Sequence, residues 1–294
     1  MSYSAIVIIF NPNSTGPSRS RAQTLAAALR QRSVGPVHLR ATKRAGHAEE
    51  LAEAAARQYD RPLIVAAGGD GSYHEVINGV MKAQVGGHPA VCAVLATGNA
   101  NDHRSATAES PLLEAIVAEQ ISRLDLLCLE TVAAGGARQV RYAHSYIGLG
   151  LTPVVAAELN RHSLNALRET AIVLRAYLGL RPFKIRRDGQ DYAFDSLIFS
   201  NINRMAKILT LAADAEPDDG KFEVISFAKG HKLLLLARLL KAATVGLKPS
   251  ARSADYEFEV VQTVPIQADG EVSELTAGTH VVARLAPQLL ATIR

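Results

Sequence analysis

The chain has 294 residues, 48% of them hydrophobic and 20% charged, with a net charge of +4 and a pI near 9.1. That length suits two domains, and the apolar share is enough to fill two cores. The absence of Trp, the 5% aromatic content and the lack of any recognised nucleic-acid module exclude a nucleic-acid binder, while the mild basic excess suits an anionic ligand or a membrane surface.

Residues 1–4 carry no basic n-region, and the apolar run 5–10 is too short for a signal core or a membrane span. The later apolar run 233–240 is broken by Arg238. The reading is a cytoplasmic protein without a transmembrane segment, whose membrane contact is peripheral, at the inner face. Cys92 and Cys128 each lie in an apolar run and read as buried small hydrophobes in a reducing compartment.

In chain order, residues 5–10 predict a fully buried strand of the kind found in parallel sheets. Asn11-Pro12-Asn13-Ser14-Thr15-Gly16 follows as a dense cluster of turn formers. A helix over 18–32, a short strand over 37–41 ending at Thr42-Lys43-Arg44, and an alanine-rich helix over 46–59 come next. With the strand that begins at Leu63 this is βαβαβ, which predicts a parallel sheet with right-handed crossovers. Ligands of such sheets bind beyond the carboxyl ends of the strands, where Asn11–Gly16, Thr42 and the segment 68–72 all fall.

That last segment, Gly68-Gly69-Asp70-Gly71-Ser72, is the most informative. A strand runs into a glycine corner, and Ser72 with Glu75 three residues on reads as a capping box opening a helix. Free N–H groups and the helix dipole then meet at one spot that a phosphate can approach. Asp70 would repel a polyphosphate by about 4 kcal/mol per charge pair at 4 Å and a dielectric near 20. A divalent cation between them reverses the sign, and Mg²⁺ prefers one or two carboxylates plus substrate phosphates. A tight turn in which Asp70 bonds its own backbone is the plainer alternative.

A strand over 90–95 leads into Ala96-Thr97-Gly98-Asn99-Ala100-Asn101-Asp102-His103, again at a strand's carboxyl end. Ser110 as N-cap and Pro111 at N1 predict a helix over 111–121. Asp125 interrupts a strand over 124–129 and needs a partner or an exposed face. Residues 131–139 are small and glycine-rich, a linker by composition. Beyond them strands predominate, at 140–147, 183–187, 192–200, 221–227, 256–261, 264–267 and 280–285, with helices over 165–178 and 230–245. Asp188-Gly189 signals a hairpin, and the period-two run Tyr256-Glu257-Phe258-Glu259-Val260 an antiparallel strand buried on one face. The second half is thus mainly antiparallel β, with a second substrate expected in the cleft between the halves. The segment 230–245 reads as a core helix or as a basic apolar helix dipping into a membrane interface. The acidic turn Asp214-Ala215-Glu216-Pro217-Asp218-Asp219-Gly220 reads either as solvated or as a hard-cation site. Asp269-Gly270-Glu271 is by itself an ordinary turn.

Taken together, the motifs at 11–16, 68–72, 98–102 and 269–271, with the acidic turn before Lys221-Phe222-Glu223-Val224, resemble the lipid-kinase family of diacylglycerol and sphingosine kinases. The likeness is nearest to the soluble bacterial diacylglycerol kinases, with NAD kinases as distant relatives. It implies an NAD kinase-like, phosphofructokinase-like α/β domain with a parallel sheet over 1–130. A mainly antiparallel β lipid-acceptor domain would occupy 131–294, its last segment returning to the first domain. It also implies an ATP-dependent lipid kinase that phosphorylates a lipid hydroxyl with Mg-ATP, diacylglycerol giving phosphatidic acid. Asn11, Pro12, Asn13, Ser14, Thr15, Thr42, Gly68, Gly69, Gly71, Ser72, Tyr73, His74, Glu75 and Asn99 would surround ATP. Asp70 would hold its Mg²⁺, and Glu271 would take the proton from the lipid hydroxyl. Asp219, helped by main-chain carbonyls near Glu216 and Lys221, would hold a second, structural Mg²⁺.

The chain departs from the family's pattern in four places, one of which, Ser72 for the Thr of Gly-Gly-Asp-Gly-Thr, keeps the hydroxyl. Gly98-Asn99 stands for Gly-Thr, His103 for an aromatic, and Arg19 or Arg21 for a Lys after the first loop. NAD kinase and a nucleotide- or lipid-binding protein with weakened catalysis are the alternative readings. A hydrolase is not: there is no Gly-x-Ser-x-Gly elbow and no His-Glu-x-x-His. The sequence leaves open which lipid is phosphorylated and whether the protein is a homodimer.

Overall fold

A computed structural model describes residues 3–14, 16–98, 101–150, 152–153, 181–205, 209–210, 212, 215–230 and 249–294. The helices expected over 165–178 and 230–245 lie outside the described residues. The chain divides into two compact units, one of residues Met1–Asp125 with Pro287–Arg294 and one of Leu126–Ala286.

The first unit alternates strand and helix: β1 (Ile6–Phe10), α1 (Ser18–Gln31), β2 (Val37–Ala41), α2 (His47–Gln58), β3 (Leu63–Gly68), α3 (Asp70–Val85) and β4 (Val91–Ala96). Two short helices, α4 (Asp102–Thr107) and α5 (Leu112–Val117), precede β5 (Ile121–Val132). The sheet order is β2-β1-β3-β4, parallel throughout. Its central strands are buried on both faces, as continuous apolar runs require. Ile6, Ile8, Leu63, Val65 and Val91 pack with Leu25 and Leu29 of α1 and Ile116 of α5.

In the second unit β6 (Arg138–Ala143) and β7 (Tyr146–Gly150) are followed by β8 (Phe183–Arg187), β9 (Gln190–Ser200), β10 (Arg204–Met205), β11 (Leu209–Thr210) and β12 (Phe222–Ala228). Then come β13 (Ala251–Ser253), β14 (Asp255–Val260), β15 (Val264–Ala268), β16 (Glu271–Leu275) and β17 (His280–Ile293). The order β16-β15-β7-β9-β8-β14-β17 is antiparallel, with β12 also paired to β9 and β13 to β12. A core of Ile147, Leu149, Phe183, Leu197, Phe199, Phe222, Phe258 and Val281 lies in this unit. The chain therefore has the fold class its sequence indicates: a parallel α/β unit and a mainly antiparallel β unit. Residues 280–284 of β17 pair with β14, whereas Thr292 pairs with Cys92 in the first unit. There the Thr292 hydroxyl bonds both the Tyr73 hydroxyl (2.8 Å) and the Cys92 carbonyl (3.1 Å), tying the last residues into the first core. Burial pushes the Cys92 thiol up to about 12, so it is an inert core residue.

Four local expectations are corrected. Helix α3 starts at Asp70, with Gly69 as an N-cap that has no side-chain cap bond, so Ser72 and Glu75 lie within the helix and form no capping box. Helix α5 runs only over Leu112–Val117, and the Ser110 hydroxyl donates to the Gln120 side chain instead of capping it. The glycine-rich stretch expected as a linker is the turn of a β5–β6 hairpin, with Ala133 N–H bonded to the Ala137 carbonyl and Gly136 at φ 82°. The strand expected over 140–147 is broken at His144-Ser145 into β6 and β7. Asp125, 1% exposed, meets its need for a partner by accepting the Gln288 N–H at 2.7 Å.

Candidate functional site

The register of the first unit levels its strand ends: Phe10 stands opposite Ala41 and Ala67, and Gly68 opposite Ala96. The segments that start at Asn11, Thr42, Gly69 and Thr97 therefore leave one edge of the sheet, the edge where parallel sheets bind ligands. Thr42 is fastened there by its N–H, which donates to the Phe10 carbonyl at 2.9 Å.

These loops touch through their backbones, which is why they need glycine. A Cβ on Gly16 would sit 2.0 Å from the Thr97 carbonyl oxygen, and one on Gly98 would sit 2.3 Å from the Gly69 Cα. The first loop is held by its own polar groups. Asn11 Oδ1 accepts the Asn13 N–H (2.9 Å), the Ser18 hydroxyl donates to the Asn11 carbonyl (2.5 Å), and Ser14 Oγ lies 2.9 Å from the Gly16 carbonyl. Thr15 and Asn99 lie outside the described residues.

At the glycine corner, the Tyr73 N–H is the one that bonds back to the Gly69 carbonyl (3.1 Å). The N–H groups of Asp70, Gly71 and Ser72 belong to the first turn, where a helix offers donors and the positive end of its dipole. Asp70 is itself built into the corner. Its Oδ2 accepts the Asp102 N–H (3.0 Å) and its Oδ1 the His103 N–H (3.2 Å), so it caps α4 and latches the 98–103 loop to the corner. Asn101, in the left-handed region at φ 56°, clamps Gly98 from both sides, Oδ1 accepting its N–H (3.1 Å) and Nδ2 donating to its carbonyl (2.8 Å). Arg21 donates to the Ala96 carbonyl at 2.9 Å, which places a cation on this edge. Among the described residues the buried Thr97 hydroxyl has no hydrogen-bond partner.

Three side chains expected around ATP serve the scaffold. Tyr73 is fully buried against His103, ring centroids 5.1 Å apart, and desolvation holds its phenol well above 10. His74 is 6% exposed, with Nε2 3.3 Å from Asn78 Nδ2. Glu75 accepts the N–H groups of Gly46 (2.9 Å) and Ala48 (3.0 Å), capping α2 from α3.

In the second unit, Asp269 and Gly270 both have positive φ, 50° and 91°, and join β15 to β16 in a two-residue hairpin with Ala268 opposite Glu271. Glu271 is exposed at the first position of β16. Asp269 is buried and accepts three backbone N–H groups, from His144 (2.9 Å), Ser145 (2.9 Å) and Tyr146 (3.1 Å). His144 Nε2 lies 3.4 Å from its Oδ2. This carboxylate breaks the β6–β7 strand. Neither Asn101 as clamp nor His144 stood out as a site residue in the sequence; Asn101 lay inside a motif that marked it, while His144 carried no local signal.

At the acidic turn, Glu216 is exposed and Asp214 lies outside the described residues. Asp219 Oδ1 accepts the Lys221 N–H at 3.0 Å, and its Oδ2 is paired with Arg252 Nη2. Among the described residues no group of three or more His, Cys, Asp or Glu could hold a metal ion.

Residues 5–129, which include the strand ends and the glycine corner, match the family model of the diacylglycerol kinase catalytic domain. Relatives of the chain include the diacylglycerol kinases of Bacillus subtilis strain 168, 27% identical with 82% of this chain and 81% of that one covered, and of Staphylococcus carnosus strain TM300, 25% identical with 90% and 87% covered. A crystal structure of a diacylglycerol kinase from Bacillus anthracis superimposes with a TM-score of 0.70 over all of this chain and 97% of that one, at 17% identity, and so shares the fold.

Proposed function

We propose that the protein transfers the γ-phosphoryl group of Mg-ATP to a lipid hydroxyl, with diacylglycerol as acceptor and phosphatidic acid as product. The observation that carries the reading is the meeting of three glycine loops at the N-terminus of α3, in the stretch matched by the kinase family model. The first-turn N–H groups of residues 70–72 bind the phosphates, and the Asn11–Ser14 loop and Thr42 enclose the nucleotide. Magnesium is commonly held by one or two carboxylates plus the substrate phosphates, and Asp70, positioned at this corner by two main-chain bonds, is the carboxylate that would hold it. When bound, the ion neutralises charge on the phosphates, which matters most in a loose transition state. Glu271 accepts the proton from the lipid hydroxyl. The family match favours this reading over NAD kinase.

Incubating the protein with Mg-ATP and a total lipid extract, then resolving new phospholipids by mass spectrometry, tests the reading. A new species heavier than a lipid alcohol by one phosphate is expected, with phosphatidic acid foremost. Phosphorylation of NAD with an unchanged lipid profile would reverse the assignment.

A further inference from the structure

We infer that the guanidinium of Arg252 is the resident cation of the acidic turn, standing where the lipid-kinase resemblance places a structural divalent ion, so that this unit keeps its turn without magnesium. Two independent features fix it there. The first is backbone register: β12 and β13 pair antiparallel with Glu223 directly opposite Arg252, so the sheet itself delivers the guanidinium to this spot. The second is the use of its donors. Arg252 Nε bonds Glu223 Oε1 at 3.1 Å, while Nη2 pairs with Asp219 Oδ2. Glu223 is 2% exposed, whereas Asp219 and Arg252 lie at the surface.

The donor set at Asp219 therefore does not fit a magnesium ion. Its Oδ2 is paired with a fixed positive charge, which is what sets Asp219 apart from a carboxylate that merely accepts main-chain N–H groups. Magnesium demands near-octahedral oxygen ligands and gives up its waters reluctantly. Here it would have to displace a guanidinium whose planar fork already serves two carboxylates, and it would be repelled by it. Burial pushes the Glu223 carboxyl above the usual carboxylate range, and the Arg252 guanidinium beside it opposes that shift with a charge the chain supplies covalently.

Thermal unfolding of the nucleotide-free protein, followed in excess EDTA and in millimolar magnesium, tests the inference without reference to activity. The wild-type midpoint is expected to be the same in both. Arg252→Met keeps the stem and removes the charge. It should melt about 4 °C or more lower in EDTA and recover part of that loss in magnesium, because Asp219 and Glu223 are then left without their cation. Arg252→Lys, which keeps one charge but not the fork, should fall between the two and stay insensitive to magnesium. A wild-type midpoint that drops in EDTA and returns with magnesium would overturn the inference, as would an Arg252→Met protein that melts with the wild type. If Arg252→Met does not fold, the wild-type comparison and the lysine variant decide the matter.

Discussion

Glu271→Gln is expected to slow phosphoryl transfer to a lipid alcohol by about 10²–10⁴-fold, the usual worth of a general base and equivalent to roughly 3–5 kcal/mol of barrier. The amide matches the carboxylate in size but cannot accept the proton. Because Glu271 lies exposed at the start of β16, the change should leave the fold intact, within about 0.5 kcal/mol. Affinity for Mg-ATP should also be unchanged, since the proposed nucleotide loops belong to the first unit. The loss should therefore appear in kcat and not in the nucleotide KM. Activity within threefold of wild type would remove Glu271 from the mechanism.

Asp269→Ala should have the largest effect on stability, a loss of about 3–5 kcal/mol. The substitution strands three main-chain N–H groups at the β6–β7 corner, two of them buried, and removes the carboxylate beside the buried His144. It also puts alanine at φ 50°, a conformation that Asp and Asn tolerate better. Asp269→Asn separates these costs. Its amide oxygen can still accept from Ser145 and Tyr146, while the amide nitrogen faces the His144 N–H, donor against donor. Urea midpoints should fall in the order wild type, Asp269→Asn, Asp269→Ala. Equal midpoints for all three would show that the corner holds without the carboxylate.

Both residues lie in a motif that can be read from the sequence, yet their separate duties cannot. Asp269-Gly270 announces a hairpin because its two residues must adopt positive φ, as Asp188-Gly189 does at φ 51° and 75°. That the Asp269 side chain then reaches back 125 residues to stop a strand at His144 depends on β15 lying beside β7, which no local pattern encodes. The same holds in the first unit. Its strands and the loops at their carboxyl ends were legible because continuous apolar runs followed by turn formers admit little else. Ser72 and Glu75 have the spacing of a capping box, but the corner lets α3 begin three residues earlier, with Gly69 as its N-cap. Glu75 then caps α2, whose N-terminus lies 27 residues back in the chain. Asp70 likewise binds N–H groups 32 and 33 residues away. Residues 131–139 misled because a flexible linker and a tight hairpin draw on the same small residues and glycines. At the acidic turn the carboxylates were legible, but their counter-charge comes from Arg252, brought in by strand register.

The central claim, that a magnesium-bound triphosphate is gripped at the Gly68–Ser72 corner, is tested most directly by calorimetric titration of Mg-ATP into wild type and Asp70→Ala. The account expects saturable binding by the wild type and an affinity at least about tenfold lower in the variant, a difference of roughly 1.4 kcal/mol. Equal affinities in the two proteins would contradict it.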